Sequence, residues 1–398
     1  MTNAIHCSRY FLWMIMLLPF GINAGRLNKI VIPSEIVLFA LGGRIASSET
    51  PYFAANERRP NDAQFLYKRI QPKTAYLSIG SDRGYITGAI ADVDRLILVD
   101  RDKGVTLFNY INTLLLREAR SASDYLHLRQ NTDDWAKRLC KHIARDTFKS
   151  SLGRRNGPKF KQFMNSIVVF WNKIHEIFKG YFDIFYAPVG MSVCESYPYE
   201  QDMTAYTYTR WWAYLCSKDE GAPFEGASLF ESEELFQRAK KLAQTVIIKN
   251  LNIADNGKVR ELVHELAENE IYVGAVDTSN IFQLRKICRL VSEADVYDAS
   301  FTQKDIYLNE IARESFSFLV ELKPVLAPEA LLITTEISKG ALGEVMTRGG
   351  SVVEPPDKLP LWSWKYRGGY IKDIFEGDCV EVVKVESDNS KMKLREIY

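Results

Sequence analysis

The hydrophobic pattern between positions 75 and 118 alternates between two kinds of segment. Ala75-Tyr76-Leu77-Ser78-Ile79 is a short, almost continuous apolar run that reads as a buried strand, closed by the turn formers Gly80-Ser81-Asp82-Arg83-Gly84. A short helical stretch, Tyr85 to Ala91, follows. Leu96-Ile97-Leu98-Val99 reads as a second buried strand ending at Asp100. From Gly104 onward Val105, Phe108, Ile111 and Leu115 recur at helical spacing, and Leu107 and Leu114 widen the stripe. Strand, helix, strand, helix predicts a parallel sheet with crossover helices.

From about 120 to 240 the alternation gives way to a helical, aromatic stretch that includes Trp135, Phe160, Phe163, Phe170, Trp171 and Tyr181. It predicts an inserted helical subdomain over 121–240. Alternation resumes with the strand Val246 to Leu251, a helix marked by Val259, Leu262, Val263 and Leu266, and the strand Ile271 to Val276 ending in Asp277. A helix over 281–293, another carrying Leu308, Ile311, Leu319 and Leu322, and the strand Leu331 to Thr335 complete five βα-type repeats. In the tail, Val380 to Val385 and Met392 to Leu394 flank Ser387-Asp388-Asn389-Ser390, which predicts a hairpin. The expected fold is α/β: a doubly wound, Rossmann-like, mostly parallel sheet over 73–120 and 241–398, with an antiparallel C-terminal hairpin and the helical insertion.

The N-terminus adds a targeting expectation. His6 and Arg9 precede an apolar run from Phe11 to Phe20 and then Ile22-Asn23-Ala24, the tripartite pattern of a secretory signal over 1–24. The run is short of the roughly 20 residues that span a bilayer, which points to cleavage and export to a periplasmic or extracellular space rather than to a permanent anchor. A start further along the chain would instead leave the protein cytoplasmic. An arm over 25–72, rich in turn formers and charge, is expected to pack on the main domain.

Composition narrows the function classes. The 398 residues, 46% hydrophobic and 25% charged, are enough for one large core or two ordinary ones, which excludes a disordered chain or a small disulfide scaffold. Lys+Arg number 51 against 50 Asp+Glu, so no global charge favours nucleic acid. The six cysteines form no CxxC and sit beside no histidine pair, so free thiols and no metal are expected. The chain has no GxSxG elbow and no GxxxxGK[ST] loop, and Cys194 has no base placed beside it in sequence.

One constellation carries a ligand. Gly80 and Gly84, in the turn between the first strand and its helix, let backbone N–H groups and the helix N-terminus approach a polar or anionic group. Asp100 lies at the end of the second strand, where a carboxylate can accept hydrogen bonds from both hydroxyls of a ribose. The competing reading makes Asp100 the cap of the following helix. Ligands of open α/β sheets bind outside the carboxyl ends of the strands. That brings in Asn250, whose amide suits an adenine edge, and Asp277 with Ser279 and Asn280, which suit the reacting end of the ligand or the capping of a helix at 281.

The stretch Tyr76-Leu77-Ser78-Ile79-Gly80-Ser81-Asp82-Arg83-Gly84, followed by Leu98-Val99-Asp100, resembles the cofactor-binding half of class I S-adenosylmethionine-dependent methyltransferases. Leu322-Lys323-Pro324-Val325-Leu326-Ala327-Pro328-Glu329-Ala330-Leu331-Leu332-Ile333 resembles the same family's approach to its fifth strand, and the stretches 228–239, 246–250 and 274–280 are similar to uncharacterised bacterial methyltransferase-like proteins. The resemblance implies S-adenosylmethionine as cofactor, held at Gly80, Ser81, Asp82, Gly84, Asp100, Asn250, Asp277, Ser279 and Asn280, and methyl transfer to an unknown acceptor. The chain departs from the family where Asp82 replaces a glycine and Ser78 an acidic residue; Asp82 can instead hold the cofactor's amino group. Asp82 and Tyr85 also occupy the positions a dinucleotide GxGxxG needs as glycine. An exported, catalytically degenerate binding module is the alternative that the signal pattern and these departures support.

Two further patches have expected partners. Between Lys137 and Lys161 nine basic residues face the single acid Asp146, either a solvated face or a docking patch for a phosphate-rich or acidic surface. Tyr197, Tyr199, Tyr206, Tyr208, Trp211, Trp212 and Tyr214 are dense enough to line an acceptor pocket or a core patch.

Overall fold

In a computed structural model of the chain, residues 29–43, 64–80, 83–133, 135–149, 157–177, 233–278, 287, 303–337, 364–377, 380–382 and 394–396 are described. In chain order the elements are α1 (Ser34–Leu41), α2 (Gln64–Tyr67), β1 (Ala75–Ile79), α3 (Arg83–Ala91), β2 (Arg95–Asp100), α4 (Lys103–Glu118), α5 (Ala122–Gln130), α6 (Trp135–Leu139), a 3-10 turn (Cys140–His142), α7 (Asp146–Lys149) and α8 (Pro158–Ile177). There follow α9 (Glu233–Thr245), β3 (Ile247–Asn250), α10 (Asn256–Glu268), β4 (Val273–Asp277), α11 (Gln303–Leu322), β5 (Leu326–Ile337), β6 (Trp364–Tyr370), α12 (Ile371–Glu376), β7 (Val380–Val382) and β8 (Leu394–Glu396). The predicted helix over 281–293 lies outside the described residues except at Ile287, as do the signal-like segment, the cluster Tyr197 to Tyr214, and Cys194.

The described strands form one mixed sheet in the order β3-β2-β1-β4-β5-β6-β7-β8. β3, β2, β1, β4 and β5 run parallel, and β6, β7 and β8 continue antiparallel from β5. β7 and β8 pair antiparallel, as the tail pattern predicts, and the predicted turn Ser387 to Ser390 lies outside the described residues. β6 and α12 have no counterpart in the sequence reading. Gly368-Gly369 interrupts the run in β6, and Leu66 packs where a Cβ on Gly368 would stand.

Side-chain alternation along the central strands feeds two cores. Tyr76 of β1, Leu96 and Leu98 of β2, Ile248 of β3, Ala275 of β4, and Leu331 and Ile333 of β5 face one. Ala75, Leu77 and Ile79, Ile97 and Val99, Val273 and Val276, and Leu332 face the other. Helices that connect β1 to β3 pack on the first face through Ile86 of α3, Phe108 of α4 and Leu242 of α9. Helices that lead from β3 to β5 pack on the second through Leu262 of α10 and Leu319 of α11. Both faces of β1 and β4 are therefore covered, which is why the two strands read as unbroken apolar runs.

The first core extends without a break into the helical segment. Trp171 of α8 stacks on Phe108 of α4 at 5.2 Å between ring centroids and 5° between planes, and Trp135 of α6 lies 5.3 Å from it. The Arg129 guanidinium sits 5.1 Å from the Trp171 ring, and Trp171 Nε1 donates to the Arg129 carbonyl at 2.9 Å. Helices α5, α6 and α8 thus share the core of the sheet's first face, and α1 joins it where Phe39 meets Phe170 edge-on at 6.5 Å. No helix among the described residues is long and apolar enough to cross a membrane.

Trp171 is fully buried at this junction. Trp171→Ala is expected to cost about 3–5 kcal/mol of unfolding free energy in a denaturant titration; a loss below ~1 kcal/mol would mean that the helical segment is not part of the main cooperative core.

Candidate ligand-binding edge of the sheet

Glycine geometry shapes the carboxyl end of β1. Gly80 has φ +110°, a conformation that L side chains rarely adopt, and this swings the chain off the strand. Its N–H donates to the Val99 carbonyl at 3.0 Å, and its carbonyl accepts from Asn109 Nδ2 of α4 at 2.9 Å. Gly84, in the first turn of α3, serves close packing: a Cβ there would lie 2.7 Å from Leu98 Cδ2 and 2.9 Å from Ser78 Cβ. The two glycines do different work. One bends the chain, and the other lets α3 settle on β1 and β2.

Asp100 ends β2 beside this turn and pairs in register with Asn250 of β3. Its Oδ1 accepts the Asp102 N–H at 2.7 Å. The helix cap is Asp102, whose Oδ1 accepts from the N–H groups of Gly104 at 2.6 Å and Val105 at 3.2 Å. Asp100 is half-buried, and desolvation pushes its carboxyl up to about 6, against the opposing effect of the Asp102 N–H. It is an ionised acceptor at neutral pH, held at a cost.

Asn250 turns its amide inward. Nδ2 lies within hydrogen-bond distance of the carbonyls of Asp100 at 3.1 Å and Arg101 at 3.0 Å, and of Thr106 Oγ1 at 3.2 Å, so it pins the turn between β2 and α4. The atom left to meet a ligand is Oδ1, an acceptor that suits an exocyclic amine. Asn250 and Asp100 therefore form one unit around the start of α4.

Asp277 is placed differently from the expectation that it faces a ligand. It pairs in register with Ser78 of β1, is fully buried, and bonds to both the Tyr76 hydroxyl and the Arg83 guanidinium. Arg83 itself is 3% exposed. Burial, reinforced by the neighbouring Asp277 carboxylate, raises the Tyr76 hydroxyl well above its usual range, so Tyr76 is a neutral donor to Asp277. With both oxygens engaged, Asp277 clasps β4 to β1 and α3. Ser81, Asp82, Ser279 and Asn280 lie outside the described residues.

Two participants escaped the sequence reading. Asn109 supports the Gly80 carbonyl, and Arg83 closes the clasp. A signal for Asn109 is present in the chain, since Asn109 and Asn112 are amides inside a helix buried along nearly its whole length. The basic segment 137–161 is partly paired with acids of the fold: Arg138 bonds Glu118 at 3.2 Å and Asp124 at 3.3 Å, and Lys141, itself exposed, bonds Glu118 at 2.7 Å. A cavity of about 530 Å³ lies away from the sheet edge, between α1 and α8, lined among others by Ala40, Lys161, Val169 and Lys173.

Asp100 and Asp277 are separable by mutation. The Asp100 carboxyl binds its proton more tightly folded than unfolded, so its charge costs stability as pH rises from about 4 to about 6 and the deficit stays constant above. Asp100→Asn should leave stability unchanged near pH 4 and raise it by up to about 3 kcal/mol at pH 7.5; destabilisation at both pH values would show that the carboxylate is there for the turn alone. Asp277→Asn removes the carboxylate that meets the buried Arg83 guanidinium and should cost about 3–5 kcal/mol, read by the same denaturant titration at pH 7.5; a change within ~0.5 kcal/mol would dispose of the clasp.

Residues 52–213, which take in β1, α3, β2, α4 and the helices through α8, match a family described as a domain of unknown function, DUF7790. A search of curated proteins returns no match to the chain.

Proposed function

We propose that the carboxyl edge of the sheet binds S-adenosylmethionine and that the chain is a methyltransferase-like protein of the doubly wound, Rossmann-like class acting on a separate acceptor. The observation that carries this reading is the Asp100 carboxylate at the end of β2. It stands next to the positive-φ turn at Gly80 and beside Asn250, where a ribose diol and an adenine amine find acceptors. The crossovers reverse face between β1 and β4, which supports a ligand lying across the strand ends at that point. Methyl transfer asks mainly for in-line positioning of the acceptor nucleophile and the methyl group. Asp277, held by Arg83 and Tyr76, takes no part in moving a proton.

That engagement of Asp277 favours a second reading: an exported binding module that keeps the architecture and has given up catalysis. The apolar segment from Phe11 to Phe20 supports export, and the exposed Lys137, Arg145, Lys159 and Lys161 suit a phosphate-rich or acidic partner surface.

Calorimetric titration of the full chain with S-adenosylmethionine and its demethylated product tests the reading. Binding is expected, weakened at least ~10-fold by Asp100→Ala, as loss of charge-assisted hydrogen bonds implies. Equal affinity for variant and wild type, or no heat at millimolar ligand, would reject the site. Binding without methyl transfer to any amine, thiol, hydroxyl or carboxylate acceptor would select the module.

A further inference from the structure

We propose that Asn109 of α4 is a ligand contact, its Oδ1 accepting a hydrogen bond from the α-ammonium group of bound S-adenosylmethionine. The inference rests on the reading of the sheet edge as the site of that ligand, and it adds the residue that holds the ligand's amino-acid end. Asn109 is 1% exposed, and its Nδ2 donates to the Gly80 carbonyl at 2.9 Å. That bond decides which way the amide is turned, because a carbonyl partner requires the donor end. The acceptor end, Oδ1, is buried with no hydrogen-bond partner. An unpaired buried amide oxygen costs stability, and support of the turn does not account for it, since that task uses Nδ2 alone.

Position along the edge identifies the missing donor. Asn250 of β3 pairs in register with Asp100 of β2, and Gly80 follows directly on the pairing of Ile79 with Val99. The ends of β3, β2 and β1 therefore succeed one another at about 5 Å per strand. Asn109 Oδ1 belongs to the third of these steps. It lies within about 5 Å of the Gly80 carbonyl oxygen, because it shares one carbon with the Nδ2 that bonds there. Each step offers an acceptor: Asn250 Oδ1, the Asp100 carboxylate, then Asn109 Oδ1. The ligand carries base, ribose and amino acid in the same order. With adenine at β3 and the ribose diol at β2, the group that reaches β1 is the amino-acid end, whose donor is an ammonium. Gly80 leaves room for it, since nothing stands within 4 Å of where a Cβ would be. A cationic N–H on a desolvated acceptor makes a charge-assisted bond, stronger than its neutral counterpart.

The full chain is titrated calorimetrically with the demethylated product of the ligand and with the analogue of that product lacking only the α-amino group. Wild type should prefer the amine-bearing compound at least ~10-fold. Asn109→Ala should bring the two affinities within ~3-fold of each other. A turn-supporting role alone would weaken both compounds alike and leave the preference standing, which overturns the proposal. Because Asn109 is buried and the alanine variant can fail to fold, Asn109→Asp is measured beside it. That variant drops the donor to Gly80 and turns the acceptor into a full negative charge, so the preference should widen at least ~3-fold; an unchanged or smaller preference overturns the proposal. Wild type that binds both compounds equally refutes the contact and leaves the site reading intact. Wild type that binds neither refutes both.

Discussion

A carboxylate sealed from water between a phenol and a guanidinium joins the two halves of this sheet. β1 and β4 lie side by side, yet Tyr76 and Asp277 are 201 residues apart in the chain. Asp277 reaches Tyr76 on the neighbouring strand and Arg83 at the start of α3, so three elements meet on one ion. Burying such a pair is tolerable only because each charge finds the other and the second carboxylate oxygen accepts from a hydroxyl. Gly84 completes the arrangement by letting α3 sit against β1 and β2 closely enough for Arg83 to reach β4. The start of α3, just beyond the glycine turn, is tied to β4 by this contact.

Much of the fold was legible in the chain. The runs at 75–79 and 96–99 become β1 and the body of β2, and the stripe of Val105, Phe108, Ile111 and Leu115 is buried in α4. The predicted strands at 246–251, 271–276 and 331–335 overlap β3, β4 and β5. What could not be read is which way each polar residue points. In a strand covered on both faces, neither parity of positions is polar, so nothing in the sequence says whether Asp277 looks outward or under α3. A register shift between Val273 and Ala275 compounds this by resetting the alternation just before the strand ends. The cap of α4 was ambiguous for a related reason: Asp100 and Asp102 both precede the helix, and only the backbone geometry selects Asp102. β6 escaped because its two glycines break the apolar run that marks a strand.

The candidate edge and the helical layer communicate through α4. Asn109 holds the Gly80 carbonyl, and one turn further Asn112 Oδ1 accepts from the Tyr125 hydroxyl and from Arg129 Nη1. Arg129 in turn holds Trp171 through its carbonyl and its guanidinium. Polar groups inside a core are costly unless paired, and here the pairing fixes the rotation of α4 about its own axis. Two amides on one buried helix therefore set both the glycine turn and the seat of the aromatic cluster.

The long separation between β1 and β4 bears on how the chain is made. At roughly 5–20 residues per second, a ribosome that has released Arg83 needs about 10–40 s to produce Asp277. Throughout that interval the guanidinium destined for the interior lacks the Asp277 carboxylate, and β1 has only one of its two sheet neighbours. The edge of β1 that β4 will cover stays unpaired with β4 until the fourth strand emerges.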